Sequence, residues 1–268
     1  PTAIVSNTFG YKKVAQVSTG DYVKNSMEAW KELGFGYDAV FVGYVTDKDQ
    51  ANAIIDYCKV LKEKGVKIFH DPIMGEKCHL YWGIGDEVAD IHKEILPLTD
   101  YTFPSWTEAA YLTGRDFSND NSTEEEIFAI IDDLVKMGAK NIAISSCIAD
   151  GKDCIAIYDY NKKSKRLLPY ERIPVKIGGT GDVFSAMIMA DVMNGIDFAA
   201  AVQGTVSAIY TMVNLEKFWK WAEKNKEKLD WSKLEINILG EEPKWVDEQR
   251  RMDYINKPNY AKKWTTAE

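Results

Sequence analysis

The sequence predicts an α/β protein in which a parallel sheet carries helices on both faces. Three observations lead there. Strand-like and helix-like segments alternate through the first two thirds of the chain. Several strand-like runs are nearly continuously apolar, as strands covered on both faces are. The unusual residues Tyr44, Asp71, Ser105 and Ser145 fall at the ends of those runs, where ligands bind in such sheets.

The elements follow in order. Thr2–Ser6 reads as a strand, and Tyr37–Tyr44 as a buried strand closed by Gly43. Ala51–Lys64 places Ile54, Ile55, Cys58 and Leu61 at helical spacing and stops at Gly65. Val66–His70 is the next strand and runs directly into Asp71-Pro72-Ile73-Met74-Gly75. Asp86–Glu94 reads as a helix, Tyr101–Phe103 as a strand, and Thr107–Leu112 as a helix closed by Gly114. Ser122–Met137 is amphipathic, with an N-cap and an acidic first turn in Ser122-Thr123-Glu124-Glu125-Glu126. Asn141–Ser146 is a buried strand that ends at Ser145-Ser146. Cys154–Tyr158 and Arg166–Arg172 form a more polar hairpin about the turn Asn161-Lys162-Lys163. Two helices follow, over Asp182–Met193 and Phe198–Val213. From Glu216 the composition changes: Phe218, Trp219, Trp221, Trp231 and Trp245 lie among lysines and glutamates. The chain therefore divides into a domain over 1–215 and a Trp-rich extension over 216–268. That extension either packs its aromatics onto the body or a second subunit, or offers a stacking surface.

A net charge of −8 argues against a nucleic-acid or anionic-membrane partner, either of which wants a basic face. No apolar run stands out as the ~20-residue span of a bilayer. Cys58, Cys78, Cys147 and Cys154 are scattered without a CxxC pair, which fits reduced thiols of a cytoplasmic protein. His70, His79 and His92 have no ligand spacing and read as packed or solvated side chains.

The strongest motif is Gly178-Gly179-Thr180-Gly181-Asp182 ahead of a helix. Glycines let backbone N–H groups approach a phosphate, and the first helical turn adds a positive dipole end. Asp182 then sits where a carboxylate can take the proton of an acceptor hydroxyl as phosphorus bonds to it. The same residues also describe an ordinary glycine turn with Asp182 as a helix N-cap. Asp71 and Glu76 bracket a strand end suited to hydrated magnesium, although Asp-Pro is a common turn former. Glu108 lies one turn into a helix, and Ser105 to Glu108 also fits a capping box. Ser145 and Ser146 either bond a nucleotide phosphate or terminate their strand.

Taken together, these motifs resemble the ribokinase-like superfamily and, within it, the pyridoxal/pyridoxamine kinases. Gly179–Asp182 matches the superfamily's GTGD signature. Asp71–Glu76 with Leu80-Tyr81 looks like the branch's DPVMGD…LY element, and Pro104–Gly114 is similar to its PNxxEaxxLtG. Gly43-Tyr44 looks like the GYL segment of the substrate pocket, and Ser6–Tyr11 resembles STHTGGF without its histidine. The likeness covers residues 1 to about 215. It implies a Rossmann-like three-layer α/β/α sandwich with a mostly parallel central sheet. It also implies a cytoplasmic homodimer that uses ATP and Mg²⁺ to phosphorylate the 5′-hydroxymethyl group of a pyridoxal-type substrate in coenzyme salvage. By position, Asp182 is the base and also meets the substrate, and Gly179, Thr180 and Gly181 form the anion hole. Asp71 and Glu108 organise the metal, Ser145 and Ser146 meet the nucleotide, and Tyr44 and Ser6 line the substrate pocket. The segment around Val206–Val213 falls beside the adenine.

Two departures bear on this. Ser105 stands where the family has asparagine, and Glu76 where aspartate is usual. Family members also carry a further strand and glycine-rich loop ahead of the position of Pro1, and such a segment is expected upstream here. Two other functions remain open: a hydroxymethylpyrimidine or sugar kinase of the same superfamily, and a non-catalytic nucleotide-binding relative.

Overall fold

The computed structural model describes residues 2–6, 15–45, 47–81, 84–115, 122–173 and 177–224, with short pairs at 234–235 and 244–245; the side chains of 216–223 and of those pairs are outside the description. The chain divides into two units, each taken by itself below. One comprises Pro1–Glu171 with Ser185–Gln203, the other Arg172–Phe184 with Gly204–Glu268.

The first unit opens with a small antiparallel hairpin of β1 (Ile4–Ser6) and β2 (Gln16–Ser18), followed by α1 (Gly20–Glu32). Neither β2 nor α1 is anticipated above: β2 has only three residues, all exposed, and α1 buries only Val23. Next come β3 (Ala39–Val42), α2 (Lys48–Glu63) and β4 (Lys67–His70). Asp47 caps α2 by accepting from the Gln50 N–H, and Gln50 ties the small hairpin to α2 by donating to the Ala3 carbonyl at 2.7 Å. β5 (Gly75–Glu76) and β6 (His79–Leu80) fold the loop after β4 back on itself. Then follow α3 (Glu87–Ile95), β7 (Tyr101–Thr102), α4 (Trp106–Thr113), α5 (Glu124–Lys136), β8 (Asn141–Ala149), β9 (Lys152–Asp159) and β10 (Ser164–Pro169). Both α4 and α5 begin with a full capping box, Ser105 with Glu108 and Thr123 with Glu126. Gly114 closes α4 at φ 66, a left-handed position that suits glycine.

The central sheet has six strands in the order β10-β9-β8-β7-β4-β3. β3, β4, β7 and β8 run parallel, and β9 and β10 extend the sheet antiparallel. Alternation along the strands separates its two faces. On one face Ile68, His70 and Thr102 meet α2 and α3, and Ile142 and Ile144 join the cluster under α4 and α5. On the other, Phe69 stacks on Tyr101, which meets Phe198 at the start of α7 (Phe198–Lys224). This is the three-layer arrangement anticipated above, with an antiparallel wing.

β8 differs from its expected limits. The sequence reading ends that strand at Ser146, but it continues to Ala149 because β9, already paired with Ile142–Ile144, goes on pairing with Cys147–Ala149. The register slips between Ile144 and Cys147, so Ser145 and Ser146 form a β-bulge in which Ser146 takes φ 59.

The second unit holds the start of α6 (Thr180–Met193), the later part of α7, and the pair β11 (Leu234–Glu235) and β12 (Lys244–Trp245). The change in composition at Glu216 falls within α7 rather than in a linker. α7 also corrects the membrane reading, because its stretch Phe198–Leu215 is long and apolar enough to cross a bilayer by length and composition. Phe198, Ala199, Ala201 and Val202 in that stretch are buried within the protein.

Candidate active site

In the first unit, the candidate residues gather where β4 and β7 end and β8 bulges. Asp71 directly follows β4, is only 6% exposed, and its amide donates to the Val42 carbonyl at 2.9 Å. The chain then turns, with the Ile73 amide donating to the Asp71 carbonyl at 2.8 Å. Gly75 is required there: a Cβ would stand 2.4 Å from the His79 carbonyl oxygen. Lys77 and Cys78 take φ 52 and 62 at the hairpin turn, and the Cys78 amide is held by the Thr107 hydroxyl at 2.9 Å.

Glu108 locks this loop to α4. Its Oε1 accepts from the Met74 and Gly75 amides at 3.0 and 3.3 Å, and its Oε2 accepts from the Ser105 amide at 2.6 Å. Burial raises its carboxyl pKa above the usual range, while these hydrogen bonds pull the other way. Ser105 adds a second tie, its hydroxyl donating to the Gly75 carbonyl at 3.2 Å and accepting from the Glu108 amide at 3.3 Å. Ser105 also bridges Ser145, whose amide donates to the Pro104 carbonyl at 2.9 Å. Ser145 is half-buried and Ser146 exposed at the bulge.

Tyr44 is half-buried just beyond β3, where burial raises its hydroxyl pKa. The adjoining Gly43 lies beside Ile73, whose Cδ1 is 3.5 Å from the position of a Cβ. The loops after β3 and β4 are therefore neighbours. Ser6 stands in the small hairpin opposite Gln16, and the remainder of the Ser6–Tyr11 stretch lies outside the described residues.

A residue missed in the sequence completes this group. Ser185, 1% exposed, donates from its hydroxyl to Asp71 Oδ2 at 2.7 Å. The signal was present: Phe184, Ser185 and Ile188 form a buried stripe on α6, and a serine within such a stripe needs a polar partner.

In the second unit, Gly178 and Gly179 make the turn into α6, and Gly179 adopts φ 85. The Thr180 hydroxyl donates to the Ile177 carbonyl at 3.4 Å, and the Val183 amide to the Gly179 carbonyl at 3.0 Å. Gly181 and Asp182 follow in the first turn, both exposed. Asp182 is thus inside the helix rather than at its N-cap, and its Oδ2 is 3.8 Å from where a Gly179 Cβ would stand. A carboxylate and a helix N-terminus meet at one small turn.

The phosphomethylpyrimidine kinase family model matches residues 1–225. The chain belongs to this family. Among curated relatives, a pyridoxal kinase of Dictyostelium discoideum is 27% identical over 196 residues, covering 68% of this chain and 63% of its own length. The match thus spans less than two thirds of that relative. Among solved structures, the pyridoxal kinase of Lactobacillus plantarum superposes with a TM-score of 0.68 at 20% identity, over 85% of this chain and 78% of its own. The pyridoxal kinase of Leishmania donovani, in complex with ADP and pyridoxamine, gives 0.65 at 19% identity over 80% and 77%. These likenesses establish the fold within the family.

For magnesium, the donor set is the relevant observation. Among the described residues no group of three or more His, Cys, Asp or Glu side chains could hold a metal. Mg²⁺ bound through one or two carboxylates, water and substrate phosphates asks for no such cage. Asp71 fits that demand, and Glu108 fits a supporting place because three backbone amides already bond its carboxylate.

Proposed function

We propose that this chain phosphorylates the hydroxymethyl group of a pyridoxal-type vitamer in the cytoplasm, with ATP as donor and Mg²⁺ as cofactor. The observation that carries the reading is the turn before α6, where Gly179 at φ 85 brings Asp182 into the first helical turn. The first-turn amides around Gly179, Thr180 and Gly181 form the anion hole for the transferring phosphoryl group. Asp182 orients the acceptor hydroxyl and takes its proton as the new O–P bond forms and the bond to ADP breaks. Asp71 holds the metal with its water shell, and Glu108 keeps the Asp71 loop in place. When bound, magnesium neutralises charge on the phosphate oxygens. Ser145 and Ser146 meet the nucleotide phosphates at the bulge, while Tyr44 and Ser6 line the acceptor pocket. The reading includes a homodimer, as the resemblance of the motifs implies.

The decisive assay offers the full chain Mg-ATP with pyridoxal, pyridoxamine or hydroxymethylpyrimidine and follows ADP release. Release with a pyridoxal-type acceptor is expected; none with any acceptor rejects a kinase. Release with the pyrimidine alone moves the chain to the second reading, which the description of its family model favours. Asp182→Asn is expected to lower turnover by on the order of 10²–10⁴. An unchanged turnover number would return Asp182 to a structural role.

A further inference from the structure

The bond between Ser185 and Asp71 joins residues 114 apart in sequence, at 2.7 Å, with both side chains almost wholly buried. The backbone around Asp71 is secured independently. Its amide is tied to the Val42 carbonyl, its carbonyl to the Ile73 amide, and the following loop to Glu108 and Ser105. Those ties act on the backbone and the loop, whereas the Ser185 hydroxyl acts on the Asp71 carboxylate itself. In a low-dielectric setting a hydroxyl-to-carboxylate bond is strong and directional.

We propose that Ser185 is a positioning residue for the phosphoryl transfer: its hydroxyl fixes the plane of the Asp71 carboxylate and commits Oδ2, so that Asp71 meets the metal's water shell in one orientation. This rests on the reading of Asp71 as a metal-binding residue. Groups that orient a metal-binding carboxylate typically change metal affinity ~10–100-fold when removed. Ser185 stands on α6, so the carboxylate is tied to a helix as well as to its own strand.

The test uses the full chain and three variants, Ser185→Ala, Ser185→Cys and Asp71→Asn. Binding of Mn²⁺ in the presence of ADP, without turnover, is measured by electron paramagnetic resonance; the Mg²⁺ dependence of activity is measured beside it. Ser185→Ala is expected to raise the half-saturating Mn²⁺ concentration ~10-fold or more. The concentration of Mg²⁺ for half-maximal rate should rise in parallel, with a smaller change in kcat at saturating metal. Ser185→Cys keeps the volume but offers only a weak donor, and should behave like the alanine variant. It also decides the matter if Ser185→Ala fails to fold. Wild-type Mn²⁺ binding by a folded Ser185 variant, alongside weakened binding by Asp71→Asn, overturns the role of Ser185 and leaves that of Asp71 standing. Wild-type binding by Asp71→Asn removes the metal role of Asp71 itself and this inference with it.

Discussion

His92 shows how a single buried group sets the response to acid. It is fully buried, its Nδ1 lies 2.9 Å from His70 Nε2, and burial holds its pKa down to about 4. His70, which also meets the Thr102 hydroxyl at 3.2 Å, is held well below its ordinary value by burial and by His92. A depressed folded-state pKa means that the unfolded chain binds the extra proton first. The contribution is fully present above the ordinary value of 6.5 and is lost as pH falls through about 4. Stability measured by urea unfolding should therefore drop across that window by on the order of 3 kcal/mol from His92. His92→Gln should flatten the slope, and an unaltered slope would locate the acid sensitivity elsewhere. Gly75 is a second such position. Gly75→Ala pushes a methyl group against the His79 carbonyl, for an expected loss of on the order of 2 kcal/mol in the same measurement. The places of Asp71, Glu108, Ser145 and Asp182 beside strands or in first helical turns are legible in sequence because each lies within a short motif. Ser185 and the His70–His92 pair are not, because their partners are distant in the chain.

At the scale of elements, α4 and α5 begin with the same chemistry, yet only one of them adjoins the candidate site. Thr123→Ala should cost ~1 kcal/mol of stability and leave turnover unchanged. Ser105→Ala removes the cap and also the tie to the Gly75 carbonyl. It should cost ~1–2 kcal/mol and, in addition, raise the Mg²⁺ needed for half-maximal rate. Equal kinetic effects in the two variants would deny α4 any special place. Although α1 is missed and α7 runs past Val213 to Lys224, the other long helices and the buried strands are legible from periodicity, and helix ends from Gly65, Gly114 and the caps. The β1–β2 and β5–β6 hairpins are not. Apart from β1, which lies within the strand read over Thr2–Ser6, their strands have two or three residues each, too few for alternation to register, and Lys77 and Cys78 form the second turn without glycine.

Across the whole molecule, burial rather than sequence spacing decides which thiols react. Cys58, Cys147 and Cys154 are buried, and Cys78 is half-buried. Cys58 is pushed up to about 11 by burial, and Cys147 is held well above its ordinary value by burial and by Cys154 opposite it. Titration of the native protein with a thiol reagent should modify Cys78 first, with the other three reacting only in denaturant. Rapid native modification of Cys154, whose thiol Cys147 lowers by hydrogen bonding, would show that the β8–β9 ladder opens. The bulge at Ser145–Ser146 has one further consequence. Along β8 it inserts one residue between two stretches, Ile142–Ile144 and Cys147–Ala149, that both pair with β9. Deleting Ser146 would leave two steps from Ile144 to Cys147, matching the two from Ala156 to Cys154, and so would restore a regular ladder with both residues on the face they now share. The strand's alternation does not need the extra residue; what that residue reshapes is the backbone at Ser145 and Ser146, where β8 meets Ser105.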